Sequence, residues 1–276
     1  MSNSQNKRNV KANGSSGASG GGKSNTTGPK VGNRKPQAKN KAIADARKAA
    51  SGGNRQTAIW IIAAVVVVAL AAAGIYAVTK SNSDKEAAAA ARDLGAGTVS
   101  AADGTITWGE DDAPAKVDYW IDLLCPACRQ FEENASATME DAVNAGDAQL
   151  VVHPTAILNN SSNPAGYSAR ATEALLCAAD QPQGYKFMKQ LYEQQPPEGG
   201  PGLSDEELAD IANEVGLSSA WNECYDSDEF ADVPEANTQA FTDNGYPGTP
   251  TVLVNGEQIT SNNPADLKNA IDNAAA

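Results

Sequence analysis

The amino-acid sequence predicts an α/β domain, a sheet with helices on both faces and a helical insert, preceded by a disordered tail and one transmembrane helix. Two changes of composition, after residues 56 and 78, separate the tail, the apolar helix and the remainder of the chain. Within the remainder, residues 103–276 alternate between strand and helix patterns, with a helical block over about residues 160–244. A sheet interrupted by a helical insert accounts for this order.

Residues 1–56 have the composition of a chain that does not fold alone. They hold twelve Lys and Arg, one acid, Asp45, and almost no apolar side chain larger than alanine. Such a segment cannot bury enough apolar surface to offset the entropy of ordering, so we predict a disordered tail. A solvated basic tail in the cytoplasm is our interpretation. An arm that binds nucleic acid is the alternative, although no aromatic residue is interleaved with the charges.

Residues 57–78 form an apolar run without a single charge. About twenty such residues, rising about 1.5 Å each, match a hydrocarbon core of about 30 Å. A cleaved signal peptide is the alternative, but its apolar segment is about 7–15 residues and its basic lead is short. We interpret the run as a retained, single-pass membrane anchor. The positive-inside rule then places the basic tail in the cytoplasm and the rest of the chain outside.

Residues 79–276, the part predicted to be exported, are strongly acidic. They hold nine basic and thirty-three acidic residues, which favours solubility and disfavours binding to nucleic acid. Residues 79–102, alanine-rich and then glycine-containing, predict a stalk and linker that hold one compact domain off the bilayer. All four cysteines lie in this exported part, where an oxidising compartment permits disulfides.

The first half of the domain shows strand and helix patterns in turn. A short strand is predicted at residues 104–109, and a strand buried on both faces at residues 115–124, which are β-branched, aromatic and mostly apolar. From Cys125 to Gly146 the apolar residues recur at steps of three and four, which predicts a helix. Residues 148–153 return to a strand pattern.

The second half is mostly helical, over residues 163–244. Residues 248–260 then predict two strands joined at Asn255 and Gly256, a dipeptide typical of hairpin turns. A closing helix is predicted at residues 266–274.

Two cysteines, Cys125 and Cys128, lie at the predicted strand-to-helix junction in the stretch DLLCPACRQF. The sulfur of Cys125 would face unpaired backbone N–H groups at the positive end of the helix, which favour thiolate, the nucleophilic form. Pro126 suits the first helical position, where an N–H is not needed. Cys128 lies one turn deeper, so we predict a redox couple in which Cys125 attacks and Cys128 resolves the mixed disulfide.

A zinc site and an inert local disulfide are the alternatives for this pair. A structural zinc site takes four ligands, and only Cys177, Cys224 and the single His153 could complete the set. We therefore expect neither a metal nor an organic cofactor. His153 ends a strand pattern, and we interpret it as a packed or surface residue rather than an acid–base group.

The strand–CPAC–helix unit and the later GTPTVLVNG stretch resemble the thioredoxin superfamily. The helical block between them resembles the DsbA-like branch, exported thiol–disulfide oxidoreductases that include membrane-anchored actinobacterial proteins. The resemblance covers about residues 103–276 and implies a thioredoxin fold with a helical insert. It also implies that Pro250, preceded by Thr249, forms a cis-proline loop that faces the cysteine pair and offers backbone hydrogen bonds to an extended substrate.

The chain departs from this family's pattern in two places. Strongly oxidising relatives often carry histidine directly before the second cysteine, where this chain has Ala127, so we expect a less depressed pKa at Cys125 and a milder oxidant. The family also often places a buried acid six residues before the first cysteine, where this chain has Tyr119. Asp118 is one residue out of phase and points to the other face. Asp122 could lie near the rim of the site, where its charge would oppose thiolate formation, but our main interpretation is a solvated strand end.

Cys177 and Cys224 both lie in the helical block, and we interpret them as a structural disulfide. A disulfide between them would close a loop of about 46 residues, which stabilises a protein by about 4 kcal/mol in the chain-entropy model. Two separate buried thiols, or a regulatory or shuttle pair, are the alternatives that the sequence leaves open.

Together these features predict a membrane-anchored, extracytoplasmic thiol–disulfide oxidoreductase that forms disulfides in secreted proteins. The expected partners are the thiols of unfolded secreted proteins. The resemblance also implies a quinone-linked membrane protein of the vitamin K epoxide reductase type as the reoxidant. A thiol reductase or isomerase is the alternative among enzymes, and a non-enzymatic binding domain with this fold is the alternative from another class.

Overall fold

The computed structural model describes residues 55–261 and 263–276. The tail predicted to be disordered, residues 1–56, lies outside the described residues except for its last two. The described residues divide into two units, one that ends at Ala73 and one that begins at Gly74.

The first helix, α1 (Arg55–Ala91), is one continuous α-helix. It contains the stretch Ile59–Ala88, which is long and apolar enough to cross a membrane. Its large apolar side chains between Ile59 and Val78 are exposed. The segment predicted as a stalk is helical as far as Ala91, because it is rich in alanine, the strongest helix former.

The second unit contains a six-stranded sheet. Its strands are β1 (Thr98–Ser100), β2 (Thr105–Trp108), β3 (Ala115–Asp122), β4 (Ala148–Thr155), β5 (Thr251–Val254) and β6 (Glu257–Ile259). Their spatial order is β1-β2-β4-β3-β5-β6, and β3 pairs with β4 in parallel while every other pairing is antiparallel. Strand β1 lies in the segment predicted as linker. It was not predicted, because its three residues are too few to show a strand periodicity.

Helices cover both faces of this sheet, which confirms the predicted α/β fold. After α1 they are α2 (Pro126–Ala145), α3 (Tyr167–Ala179), α4 (Gly184–Glu193), α5 (Asp205–Val215), α6 (Ser219–Asp226), α7 (Val233–Asp243) and α8 (Pro264–Ala274). The central strand β3 is buried on both sides, as its apolar sequence predicts. Tyr119 and Ile121 belong to the main core, whereas Trp120 packs with Phe241 of α7 on the other face.

Local signals in the sequence set the ends of the elements around the cysteine pair. Helix α2 begins at Pro126 and is followed by Gly146, whose left-handed φ of 78° suits glycine. The β5–β6 hairpin turns through Asn255 and Gly256, with φ values of 48° and 84°. Helix α2 connects strands β3 and β4, which pair in parallel, and the three elements form a βαβ unit at the centre of the sheet.

The insert between β4 and β5 consists of helices α3 to α7. A disulfide joins Cys177 of α3 to Cys224 of α6, with a Cα–Cα distance of 5.7 Å. Beside it the ring of Trp221 is buried near Phe187 of α4, and its indole N–H donates to the carbonyl of Ala174 at 2.9 Å. The disulfide and this tryptophan thus fasten α6 onto α3, the first α-helix of the insert.

Candidate active site

The candidate active site lies where β3 passes into α2. Asp122 ends the strand, two leucines form the turn, and Cys125 is the N-cap residue of the helix that holds Cys128 in its first turn. Both cysteines are free thiols in this structure. Cys125 retains 7% of its exposure and Cys128 retains none. Of the two sulfurs, only that of Cys125 is therefore placed to meet a sulfur from outside.

The loop before β5 lies against this turn. The Thr249–Pro250 peptide bond is cis, and the carbonyl oxygen of Thr249 accepts a hydrogen bond from Cys125 Sγ at 3.3 Å. The hydroxyl of Thr249 is buried and has no hydrogen-bond partner among the described residues. It lies near enough to both sulfurs to favour a thiolate on either. The fold thus brings together Cys125, Cys128, Thr249 and Pro250, the four residues that the sequence singled out at two distant places.

The surroundings of Cys125 lower the pKa of its thiol from 9.0 to about 6. A hydrogen bond from the Cys128 thiol is the largest cause of this lowered pKa, and burial of the sulfur opposes it. The Thr249 hydroxyl and the backbone N–H groups of Cys128 and Ala127 lower the pKa further. The helix amides expected from the sequence therefore contribute less than the neighbouring thiol. A thiol with this pKa is mostly thiolate at neutral pH.

Cys128 has the opposite character. Burial raises the pKa of its thiol well above the ordinary value, and the hydrogen bond and negative charge of Cys125 raise it further. The pair therefore holds its first negative charge on Cys125, while Cys128 keeps its proton and donates it in a hydrogen bond. This division gives one slightly exposed thiolate and one fully buried, neutral thiol.

Replacing Thr249 with valine tests the contribution of its hydroxyl, because the change keeps the branched shape and removes the donor. We expect the pKa of Cys125 to rise from about 6 toward its ordinary value, because the variant lacks the hydroxyl that lies near the sulfur and favours the thiolate. The ultraviolet absorbance of the thiolate, followed against pH, measures this. Thr251→Val is the matched control, because that hydroxyl donates to the Gly248 carbonyl instead. Equal shifts in both variants would refute the assignment.

Asp122 corrects one of the expectations. Its side chain is fully buried and is not a solvated strand end. Its carboxylate accepts hydrogen bonds from the backbone N–H groups of Leu124 and Leu158 and from the Ser168 hydroxyl, each at 2.8 Å. Burial raises its pKa, and these hydrogen bonds oppose that rise. Asp122 ties the active-site turn to the loop after β4 and to helix α3 through partners 36 and 46 residues away, which no local pattern could reveal.

His153 lies away from the cysteine pair. Its ring stacks on Trp120 with centroids 4.1 Å apart, and its Nε2 lies 2.9 Å from a carboxylate oxygen of Asp118. Tyr119 occupies the position six residues before Cys125 and is buried on the opposite face of β3. His153 is thus a packed residue, and the zinc alternative loses Cys177 and Cys224, which are bonded to each other.

Two side chains near the pair were missed by the sequence analysis. Glu132, one turn beyond Cys128 on α2, is buried without a hydrogen-bond partner among the described residues, and burial raises its pKa to about 7. Gln195, between α4 and α5, donates through Nε2 to the carbonyls of Leu123 and Cys125. The helical period of α2 could have indicated that Glu132 faces the core. No local pattern indicates where Gln195 lies.

Comparison with known proteins places this arrangement among thiol–disulfide proteins. Residues 101–273, which include the CPAC turn and the cis-proline loop, match the family model described as thioredoxin. The probable disulfide bond formation protein D of Bacillus anthracis is 27% identical over 169 residues, which are 59% of this chain and 75% of that protein. Oxidised DsbA from Mycobacterium tuberculosis has a TM-score of 0.54 and 29% identity, covering 61% of this chain and 86% of that one.

A different kind of protein is also similar over part of the chain. The serine/threonine-protein kinase PknE of Mycobacterium tuberculosis is 33% identical over 140 residues, which are 48% of this chain and 24% of the kinase. The chain thus spans about a quarter of the length of this kinase.

Proposed function

Since the chain belongs to the thioredoxin family, we propose that it is an extracytoplasmic thiol–disulfide oxidoreductase that forms disulfides in secreted proteins. One observation carries the proposal: Cys125, with a pKa of about 6, lies beside the buried, protonated Cys128 and against the cis bond before Pro250. Such a pair can exchange with substrate thiols without a cofactor. Catalytic roles for Cys125 and Cys128, and a substrate-binding role for Thr249 and Pro250, are part of this proposal.

The proposed cycle starts from the Cys125–Cys128 disulfide. A substrate thiolate attacks Cys125 Sγ, the bond between the two cysteines breaks, and its electron pair leaves on Cys128, which takes up a proton. A second substrate thiolate attacks the substrate sulfur of the mixed disulfide and releases Cys125 as a thiolate. The substrate has lost two electrons and two thiol protons. The cysteine pair has gained the two electrons, one proton rests on Cys128, and the other enters solvent.

The pKa of Cys125 indicates a mild oxidant. The attacking cysteine has a pKa of about 7 in thioredoxin, a reductant, and about 3.5 in the strong oxidant DsbA. A value of about 6 for Cys125 falls between them. We therefore expect a reduction potential between about −270 and −120 mV. A thiol reductase is the second candidate, and Ala127, in place of a histidine, is the observation that favours it.

We further propose that α1 is the membrane anchor, with the basic tail in the cytoplasm and the cysteine pair outside. The apolar run of residues 57–78 within α1 and the positive charge that precedes it support this orientation. The Cys177–Cys224 disulfide suits an oxidising compartment. Reoxidation of the pair needs an acceptor for two electrons, and we assign that role to a quinone-linked membrane protein of the vitamin K epoxide reductase type.

The proposed direction is tested by mixing the oxidised full-length protein, in detergent micelles, with a reduced and unfolded secreted protein. We expect one disulfide to be transferred for each Cys125–Cys128 pair, counted by alkylation of the remaining thiols and mass spectrometry. Reduction of substrate disulfides by the reduced protein, with no transfer from the oxidised protein, would establish the reductase instead. No exchange in either direction would leave only a binding domain.

A further inference from the structure

We propose that Gln195 is a substrate-binding residue, whose side-chain oxygen accepts a hydrogen bond from a backbone N–H beside the reacting cysteine of the substrate. The inference rests on the proposed function and adds a contact on the side of the helical insert. It follows from three observations on Gln195. Its side-chain nitrogen is hydrogen-bonded to the active-site turn, its backbone is held in place, and its side-chain oxygen accepts no hydrogen bond from the described residues.

The amide nitrogen of Gln195 is anchored to the active-site turn. Nε2 donates to the carbonyl of Leu123 at 2.9 Å and to the carbonyl of Cys125 at 3.1 Å. A carbonyl only accepts hydrogen bonds, so the NH2 end of the amide must face these two groups and the oxygen must point away from them. The turn that carries the nucleophile therefore fixes the orientation of this amide.

The backbone of Gln195 is held as well. Its N–H donates to the carbonyl of Tyr192 at 3.2 Å, at the end of α4. Pro196 follows, which restricts Gln195 to an extended conformation, and Pro197 fixes the next step of the chain. A side chain held in this way loses little conformational entropy when it binds a ligand.

The side-chain oxygen of Gln195 is left free. Within the described part of the chain Oε1 accepts no hydrogen bond, although the nitrogen of the same amide makes two. Oε1 is not one of the buried oxygens without a partner, so solvent reaches it, and the side chain is half-buried. Oε1 is thus a fixed and accessible acceptor, bonded to the same carbon as the nitrogen that donates to the Cys125 carbonyl.

An extended substrate can use this acceptor and the cis-proline loop together. The loop of Thr249 and Pro250 comes from the sheet, whereas Gln195 comes from the helical insert. Backbone N–H and C=O groups of an extended strand point to both of its sides. One segment bound at Cys125 can therefore meet the loop with one edge and Gln195 with the other. A neutral acceptor that binds backbone selects for extended conformation rather than for sequence, which suits an enzyme with many substrates.

The variant Gln195→Met tests the proposal, because it keeps the length of the side chain and removes its polar atoms. The oxidised full-length protein in detergent micelles is reacted with a cysteine-containing peptide and, separately, with dithiothreitol, which has no peptide backbone. We expect the rate with the peptide to fall about fivefold, the effect of one hydrogen bond, and the rate with dithiothreitol to change less than about twofold. Gln194→Met is the matched control, because the Gln194 amide contacts Gln190 and Glu214 instead.

Peptides methylated on single backbone nitrogens beside the cysteine provide the second arm. At one position methylation should slow the wild type about fivefold and leave Gln195→Met unaffected. Gln195→Lys, which can still donate to the two carbonyls but has no acceptor, should also lose this sensitivity, even if the methionine variant fails to fold. Equal slowing with peptide and dithiothreitol, or equal methylation effects in wild type and variants, would overturn the proposal. A wild type that reacts with neither reagent would instead refute the proposed function.

Discussion

Replacing Cys125 or Cys128 with alanine is expected to abolish disulfide transfer, but only the Cys128 variant should become trapped as a mixed disulfide when it meets a disulfide-bonded substrate. Without Cys125 the remaining thiol is fully buried and protonated, because its pKa is raised well above the ordinary value. Without Cys128 the Cys125–Cys128 disulfide cannot form, so the protein holds no oxidising equivalent to transfer. The Cys125 thiolate can still attack a disulfide in a substrate, one substrate sulfur leaves as a thiolate, and no Cys128 thiol is present to resolve the mixed disulfide that remains. Turnover in both variants should fall by at least about a thousandfold, since a covalent step is removed.

Two variants of Cys128, serine and alanine, also test how the Cys128 thiol acts on Cys125. The Cys128 thiol is the largest cause of the low pKa at Cys125. Cys128→Ser retains a donor and Cys128→Ala does not, so the alanine variant should capture a disulfide-bonded substrate more slowly at pH 7, and the two rates should converge above about pH 9. Non-reducing electrophoresis and mass spectrometry detect the mixed disulfide. Transfer that survives in Cys125→Ala, or substrate joined to Cys128 rather than Cys125, would contradict these roles.

Removing the Cys177–Cys224 disulfide is expected to destabilise the protein strongly. The bond closes a loop with a sequence separation of 47 residues and joins α3 to α6. In the chain-entropy model, cross-linking a loop of that length raises the free energy of the unfolded chain by about 4 kcal/mol. The Cys177→Ala/Cys224→Ala variant should lose a large part of this stabilisation. Chemical denaturation of the full-length protein under non-reducing conditions, with the midpoint and slope recorded, measures the loss.

Cys125→Ala/Cys128→Ala is the control for this experiment, because it also removes two cysteines but leaves the Cys177–Cys224 disulfide in place. We expect it to unfold near the wild-type midpoint. A loss below about 1 kcal/mol in the Cys177→Ala/Cys224→Ala variant would show that packing around Trp221, rather than the disulfide, holds α6 in place.

The parts of the fold that the sequence predicted are those in which a local signal decides the structure. The strand before Cys125 is a continuous apolar run, the helix after it has an apolar period between a proline and a glycine, and the hairpin has its own dipeptide. These signals also place the cysteine pair at a helix N-terminus, so its chemistry could be predicted. The pairing with Pro250 came from family resemblance, because 124 residues separate Cys125 from the loop that its sulfur contacts.

The errors and omissions occurred where distant residues decide the structure. Asp122 was expected to be solvated, because a charged residue at a strand end usually is, but three distant or turn donors surround it. Gln195 was not recognised, because its partners lie 72 and 70 residues earlier in the chain. The helix amides do lower the pKa of Cys125, as expected, but the larger contribution of the Cys128 thiol was not anticipated.

The most direct test of the account is the titration of Cys125 in the reduced full-length protein, followed by thiolate absorbance and by the rate of alkylation against pH. Cys125 should ionise as the pH rises through about 6, whereas Cys128, with its raised pKa, should stay protonated. The depressed pKa stabilises the reduced folded protein above about pH 6 and ceases to do so as the pH falls through that value. A midpoint near 6 is the predicted result. A midpoint at the ordinary cysteine value of about 8.5 would contradict the central claim that Cys125 is an activated nucleophile.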